Sequence, residues 1–267
     1  HLANAYEDQN DHQNAISAWQ RVNEEKPSPA IEAHIASLEK KAGAEKGFAH
    51  ITHEHFEVHF EGDSDRALAE QALDNLDEAW RTIGDKLDLH PPAPLLVIFY
   101  GGDKYKDATG APDWSGGVFD GKIRVRENSL RISRGDVRDL LFHEYTHALL
   151  HTTVKGEIPA WMNEGLAQHM EPGISHARID RLKKIDKEHL PRVASLRQSF
   201  SRFDAATADV AYGSAQDLVN MLGEWRGERS YADLFASMNG GKSFDDAVDD
   251  VYSLTPDLVE SRWRSRF

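Results

Sequence analysis

The sequence of 267 residues contains no cysteine, which excludes disulfide bonds, thiolate metal sites and a cysteine nucleophile. Its longest unbroken apolar run, LLVIFY at residues 95–100, is far shorter than the roughly 18 to 20 residues of a membrane-spanning helix. Basic residues are scarce, since 31 lysines and arginines face 45 aspartates and glutamates, and the formal net charge is −14. Nucleic acids and anionic membranes attract basic surfaces, so we expect neither as the main partner.

The first segment has the spacing of a helical repeat. Tyr6, Ala15, Trp19 and Pro27 fall at the characteristic offsets of a tetratricopeptide repeat, so residues 1–46 resemble one partial repeat followed by a capping helix. The resemblance implies a protein partner bound through this repeat, and an ordinary helical hairpin is the alternative. The polar start HLANAYEDQN is unlike a signal peptide, and we expect the sequence to begin inside a longer protein.

The periodicity changes after this segment. Phe56, Val58 and Phe60 alternate with polar residues, which predicts a half-buried strand. Three histidines lie on the polar side of that strand, and we interpret them as solvated rather than as metal ligands; they are His53, His55 and His59. Apolar residues then recur every three or four positions over residues 64–87, which predicts an amphipathic helix.

The remaining pattern predicts an α+β fold. Residues 95–100 indicate a buried strand, and Asp120-Gly121 indicates a hairpin turn between two short strands. From Asp136, a candidate helix cap, the pattern is helical to the end of the chain. We therefore predict a helical hairpin at residues 1–46 and a domain at residues 47–267. This domain has a small mixed sheet with an edge hairpin (residues 47–135) and a mostly helical half (residues 136–267).

The motif HEYTH at residues 143–147 carries the main chemical signal among 14 histidines. Residues four apart lie one turn above each other on a helix, so His143 and His147 can bind one metal ion from the same face. Glu144 is turned about 100° from His143 and can reach a water on that ion without being a ligand. His151 extends the face by a turn, but three ligands at successive turns would not converge, so we interpret it as a surface or outer residue.

A catalytic zinc ion needs a third protein ligand and an open position. Glu164, in the segment PAWMNEGLAQHME, is our candidate, because the 17 residues from His147 allow a loop and a turn of an antiparallel helix. Gly165 beside it would let the backbones of these two helices approach closely. The alternative interpretation of Glu164 is a solvated helix carboxylate.

These segments bear a family resemblance. HEYTHALLH followed by IPAWMNEGLAQHME resembles the gluzincin metallopeptidases, and the likeness to their peptidase MA-like group extends to HFEVHFEG, GGVFDGKIRV and AYGSAQDLVNML. It implies a gluzincin, thermolysin-like catalytic architecture, a polypeptide substrate, and one Zn²⁺ per chain held by His143, His147 and Glu164. Peptidases of this group often follow tetratricopeptide repeats, in agreement with the N-terminal segment.

Two positions depart from the pattern of the family. The spacing to Glu164 is slightly short, and Gln168 stands where thermolysin-like enzymes place an aspartate that orients a ligand histidine. A glutamine carbonyl can still accept that imidazole N–H, although without charge. We expect Glu171, further along the same segment, to have no part in holding the metal.

The resemblance also implies roles at the substrate. Tyr212, in AYGSAQDLVNML, corresponds to a tyrosine that stabilises the oxyanion in aminopeptidase-like gluzincins, and a core tyrosine is the alternative. WSGGVFDGKIRVR corresponds to an edge strand that pairs with an extended substrate. It lacks the Gly-x-Met-Glu-Asn-like string that binds a free amine, which favours endopeptidase over aminopeptidase action.

The sequence therefore predicts a zinc metallopeptidase in which Glu144 deprotonates the zinc-bound water. The alternative is a tetratricopeptide-type protein-interaction module with a structural or inactive metal site. Retention of all three ligands and Glu144 disfavours that alternative, because a non-catalytic site has no need of the base. The family resemblance favours an exported bacterial protein, with any signal upstream of residue 1.

Overall fold

The computed structural model describes residues 2–62, 66–111 and 116–267. The chain divides into two compact units, one of residues 1–73 and 94–132 and the other of residues 74–93 and 133–267. The predicted helix start at Ser64 and the Trp114-Ser115 part of the predicted substrate-pairing strand lie outside the described residues. The proposed domain boundary after residue 46 stays a prediction.

The first unit is built on a five-stranded mixed sheet with the order β1-β2-β3-β5-β4. The outer pairs β1-β2 and β4-β5 are antiparallel, whereas β2-β3 and β3-β5 are parallel. Its strands are β1 (Ala49–Thr52), β2 (Phe56–Phe60), β3 (Leu95–Tyr100), β4 (Gly117–Phe119) and β5 (Ile123–Arg126). The predicted edge hairpin is confirmed, and Gly121 supplies the positive φ of 98° at its turn.

The strands follow their hydrophobic patterns. Phe56, Val58 and Phe60 are fully or almost fully buried, as the alternation along β2 predicts. Strand β3 lies between two parallel neighbours, and its continuous apolar run is buried except at Leu96. A central strand buried on both faces needs apolar residues at every position, which explains why this run does not alternate.

Among the described residues, four α-helices belong wholly to this unit: α1 (Leu2–Asp8), α2 (His12–Glu25), α3 (Pro29–Ala44) and α5 (Lys104–Thr109). The first three form the predicted N-terminal helical hairpin and its following helix. Trp19 of α2 makes an edge-to-face contact with His34 of α3, with ring centroids 5.1 Å apart. Whether these helices are a tetratricopeptide repeat that binds a partner stays a prediction.

A buried ion cluster ties the end of α3 to the sheet. Glu45 accepts hydrogen bonds from Asn10 (2.8 Å), Tyr100 and Arg124 (2.8 Å), and its carboxylate lies 2.9 Å from His12 Nε2. The Arg124 side chain is only 1% exposed. Burial would raise the pKa of the Glu45 carboxyl, but the His12 hydrogen bond and the Arg124 charge hold it well below its usual value.

We expect Glu45→Gln to lower the free energy of unfolding by about 3 kcal/mol, because the buried Arg124 would keep only the more exposed Asp120 as a carboxylate partner among the described residues. Denaturant unfolding of the full chain at neutral pH measures the change. Glu39→Gln, on the exposed side of α3, is the matched control and should change stability by less than about 0.5 kcal/mol. Equal losses in the two variants would contradict the role of the cluster.

The second unit is helical, and with it the predicted α+β fold class is confirmed. The long helix α4 (Arg66–Leu87) contributes residues to both units. The other helices of the second unit are α6 (Arg134–Thr153), α7 (Ala160–Met170), α8 (Ala177–Leu182), α9 (Ala205–Arg226), α10 (Arg229–Asn239), α11 (Phe244–Tyr252) and α12 (Pro256–Arg264). Within the described part of the chain, no helix combines the length and apolar character needed to cross a membrane.

Helix α6 begins two residues before its predicted cap. The cap is Ser133, whose hydroxyl accepts the Asp136 N–H at 3.3 Å and donates to the Asp136 carboxylate at 2.7 Å. The prediction of Asp136 as the cap was wrong because its carboxylate bonds the serine hydroxyl from within the first turn. In the first turn of α6 its negative charge still interacts favourably with the positive, N-terminal end of the helix dipole.

Candidate metal centre

Helix α6 holds the HEYTH motif in the interior of the second unit. Apolar residues surround the motif on several sides of the helix, and these buried residues are Val137, Leu141, Phe142, Tyr145, Ala148, Leu149 and Leu150. The packing fixes the rotation of α6, so the face that carries His143 and His147 has a defined direction. Their side chains keep 18% and 11% of their surface exposed, so the site is accessible to a small ligand.

The three predicted ligands lie together. The Nε2 atoms of His143 and His147 are 3.1 Å apart, and a Glu164 oxygen lies 3.6 Å from the first and 3.5 Å from the second. Within the described residues this is the one group of three or more potential metal ligands whose donor atoms all lie within 4.8 Å of one another. Ligand atoms about 2.0 to 2.1 Å from a tetrahedral ion are separated by roughly 3.3 Å, so the observed triangle fits a zinc ion.

The hydrogen-bond partners of the Nδ1 atoms determine which nitrogen of each imidazole ring carries the proton. His143 Nδ1 lies 2.8 Å from the Glu171 carboxylate, and His147 Nδ1 lies 3.1 Å from the side-chain carbonyl of Asn163. Both partners are acceptors, so in the neutral imidazoles each Nδ1 carries the proton and each Nε2 directs a lone pair to the centre of the triangle. This tautomer is the one that an imidazole needs in order to bind a metal ion through Nε2.

The charges around the triangle favour a cation. Burial disfavours a charged imidazole, yet the Glu164 and Glu171 carboxylates raise the pKa of His143 to about 10. Burial lowers the pKa of His147, but the charge and hydrogen bond of Glu164 together with the charge of Glu144 raise it by more, so it is also raised. Burial alone would raise the pKa of Glu164, but the two imidazoles lower it well below its usual value. A positive charge at the two Nε2 atoms, whether a proton or a metal ion, is therefore strongly stabilised.

Glu144, next to His143 in the sequence, differs from the three predicted ligands in its hydrogen bonding. Its side chain is buried, and its Oε2 has no hydrogen-bond partner within the described residues. Burial raises the pKa of Glu144, although the neighbouring imidazoles oppose that shift. A buried carboxylate oxygen without a partner is costly, so Glu144 is a candidate for a functional group of this site.

The residue that orients His143 differs from the one expected. Gln168 faces α9, donating to the backbone carbonyls of Glu164 (3.2 Å) and Tyr212 (3.1 Å), so the expectation that it accepts from a histidine was wrong. Glu171 makes that contact, although we expected no such role for it. The backbone leaves the helical conformation at Glu171 (φ −61°, ψ 125°), which turns its carboxylate back towards α6.

The turn after Glu171 is attached to the same face of α6. The N–H of Gly173 donates to Asp139 at 2.8 Å, and Asp139 precedes His143 by one helical turn. A Cβ at Gly173 would lie 2.5 Å from the Asp139 carboxylate, so a larger residue here would require this carboxylate to move. The dipeptide Pro172-Gly173 is the sequence signal for this reversal, but it does not say which side chain returns to the histidine.

Gly165 permits two helices to approach closely, as predicted, but the helix that approaches α7 there is not the predicted one. We expected it to let α7 approach α6, but a Cβ there would collide with the backbone carbonyl of Ala215 and lie 2.7 Å from Val219. Both residues belong to α9, so the close approach at Gly165 is between α7 and α9. This contact brings the helix of Glu164 against the helix that carries Tyr212.

Tyr212 is half-buried on α9, where its ring packs edge-on against Phe200 at 5.3 Å between centroids. Burial and the charge of Glu164 raise the pKa of the Tyr212 hydroxyl. Tyr212 therefore interacts electrostatically with one residue of the His143–His147–Glu164 group. Its role as an oxyanion donor stays a prediction. His151 is exposed, and His53, His55 and His59 lie in the first unit, outside the His143–His147–Glu164 group.

The comparison with protein families decides the assignment. A family model described as the peptidase MA superfamily matches residues 84–267, about two thirds of the chain. The chain belongs to the peptidase MA superfamily. Membership supports peptidase activity on a polypeptide substrate. It agrees with metal-dependent hydrolysis at the His-His-Glu group of this superfamily member. No curated protein matches the chain significantly.

We expect Glu164→Ala to lower zinc affinity by orders of magnitude, because two imidazoles alone would remain. Glu171→Gln should lower the affinity by about 10- to 100-fold, since it weakens the acceptor that orients His143. Titration of the metal-free protein with Zn²⁺ against a competing chelator measures both values. The control is Glu157→Gln, an exposed change that should leave the affinity unaltered. Stoichiometric zinc in purified Glu164→Ala would place the third ligand elsewhere.

Proposed function

We propose that this peptidase MA superfamily member is a gluzincin-type zinc endopeptidase with one Zn²⁺ per chain. The observation that carries the proposal is the convergence of His143 Nε2, His147 Nε2 and Glu164 within 3.1 to 3.6 Å of one another. Two imidazoles and a carboxylate form a ligand set that catalytic zinc takes in metallopeptidases and that leaves a coordination position open. When bound, zinc lowers the pKa of a coordinated water to about 7 and polarises the scissile carbonyl.

Each residue of the metal site then has a separate role. His143, His147 and Glu164 hold the ion, while Glu171 and Asn163 fix the two imidazole rings through their Nδ1 atoms. Glu144 accepts the proton of the attacking water on its unpartnered oxygen and passes it to the nitrogen of the departing amine. Burial raises the pKa of Glu144, which makes it a stronger base and so aids removal of that proton.

The preference for endopeptidase action rests on the sequence. Residues 114–126 carry no counterpart of the acidic string that an aminopeptidase-like gluzincin uses to bind a free amine. This segment therefore offers no group that would fix the N-terminus of a substrate next to the scissile bond. An extended substrate can then have residues on both sides of that bond. The alternative, an interaction module with a structural metal site, gives no purpose to a buried, unpartnered Glu144 beside the ligands.

Replacing the proposed base tests the mechanism. Glu144→Gln keeps the size of the side chain and should retain one zinc per chain while it lowers peptide hydrolysis by about 10²- to 10⁴-fold. Zinc content and proteolysis of a denatured protein substrate, measured on one preparation, give both results. Hydrolysis at the wild-type rate by Glu144→Gln would remove this mechanism.

Tyr212 allows a second test. If its hydroxyl stabilises the oxyanion, Tyr212→Phe should lower kcat by about 10²- to 10³-fold with little change in KM. The free energy of unfolding should fall by no more than about 1 kcal/mol, the usual net value of one hydrogen bond. A tyrosine that serves only the core gives the reverse result, with lower stability and nearly unchanged turnover.

A further inference from the structure

Two arginines of helix α8 share one carboxylate unequally. Arg181 forms a bidentate pair with Asp209, with Nε and Nη2 at 2.9 and 2.6 Å from its two oxygens. Arg178, one turn earlier, has its Nε 3.4 Å from one of these oxygens, beyond good hydrogen-bond distance. Since Arg181 engages both Asp209 oxygens at shorter distances, this one carboxylate cannot neutralise both guanidinium groups, and Arg178 is the less tightly paired of the two.

The other contacts of Arg178 are with uncharged groups. Its Nη1 donates to the side-chain carbonyl of Gln168 at 3.1 Å, and its Cζ lies 5.4 Å from the centroid of the Tyr212 ring. Within the described residues no carboxylate other than Asp209 pairs with it. The side chain is 44% exposed, so the free part of the guanidinium is open to a ligand.

Arg178 is connected to the candidate metal centre through Gln168. The same Gln168 amide that accepts from Arg178 donates to the backbone carbonyls of Glu164 and Tyr212. A Cβ at Gly213, the residue after Tyr212, would lie 3.3 Å from the Arg178 Cβ and carbonyl oxygen. Helix α8 therefore packs closely on α9 at this point, and the base of the Arg178 side chain is fixed next to the tyrosine.

We propose that Arg178 determines substrate specificity by binding a carboxylate of the peptide substrate close to the scissile bond. This inference rests on the proposed peptidase function. A guanidinium fork pairs with a carboxylate through two parallel hydrogen bonds, and no lysine or amide supplies the same geometry. The carboxylate belongs either to an Asp or Glu side chain or to the C-terminus of the peptide. In a chain with a net charge of −14, long-range attraction does not bring acidic peptides in, so the preference arises at this contact.

The test compares related peptides on the zinc-loaded full chain. It starts from a neutral, C-terminally amidated peptide that the wild type cleaves. Glu replaces Gln at single positions on either side of the scissile bond, and each peptide is made as the amide and as the free acid. The proteins are wild type, Arg178→Met and Arg226→Met. The last is the matched control, because Arg226 is an exposed arginine on the same helix as Tyr212, about 20 Å further along it, and its replacement removes the same charge.

We expect wild type to cleave at least one acidic peptide with a kcat/KM about tenfold or more above that of its neutral counterpart. Arg178→Met should bring this ratio to within about twofold of one, and Arg226→Met should keep it. A loss of preference in Glu-containing peptides identifies a side-chain carboxylate, and a loss in the free acids identifies the C-terminus. A wild-type ratio near one, or equal loss in both arginine variants, would overturn the proposal.

A binding measurement separates this proposal from the peptidase function. In Glu144→Gln, the Kd of the fluorescently labelled peptides can be measured by anisotropy without cleavage. Acidic peptides should bind about tenfold more tightly than neutral ones, and the added Arg178→Met change should remove the difference. If wild type cleaves no peptide, the proposed function fails, but the binding ratio still decides the role of Arg178. Equal affinity for acidic and neutral peptides would contradict it.

Discussion

Two imidazole nitrogens and a carboxylate oxygen lie 3.1 to 3.6 Å from one another in the helical unit, each directing electron pairs towards the same point. Such groups repel one another unless a cation lies between them, and they persist only where the surrounding structure holds them. The buried apolar residues of α6 fix the two histidines, and the contact of α7 with α9 at Gly165 fixes the helix of Glu164. The packing of α6, α7 and α9 thus supports that triangle.

The polar residues around the triangle form a second layer that is as specific as the first. Glu171 and Asn163 set the tautomers of the two histidines, whereas Gln168 joins the backbones of α7 and α9 and accepts from Arg178. Outer partners of this kind fix the orientation and basicity of metal ligands. Glu144 is the exception, because one of its oxygens is buried and has no partner within the described residues. Local departures from full hydrogen bonding are expected where chemistry takes place.

The sequence predicts what depends on regular helix geometry. Two histidines four apart on an apolar helix lie on one face in any protein, and a glutamate on the next helix was a defined candidate for the third position. It does not predict contacts made where a helix ends. Glu171 lies 28 residues from His143 and reaches it only because the backbone extends after α7. The resemblance to thermolysin-like enzymes suggested Gln168, four residues after Glu164, instead. The close contact of α7 with α9 at Gly165 turns that side of α7 towards α9.

The first unit shows the same limit. Alternation predicted β2, an apolar run predicted β3, and Asp120-Gly121 predicted the hairpin of β4 and β5, whereas β1 was not predicted. The pairing of Glu45 with Arg124, 79 residues apart, could not be read from either segment, because both residues are of types that are usually exposed. Long-range polar contacts depend on how elements pack, and local patterns carry no information about their partners.

X-ray diffraction from crystals of the zinc-loaded protein, recorded on both sides of the zinc absorption edge, tests the central claim most directly. The account predicts one anomalous peak per chain, about 2.0 to 2.2 Å from His143 Nε2, His147 Nε2 and an oxygen of Glu164. An anomalous peak bound by other residues, with this triangle empty at saturating zinc, would contradict it.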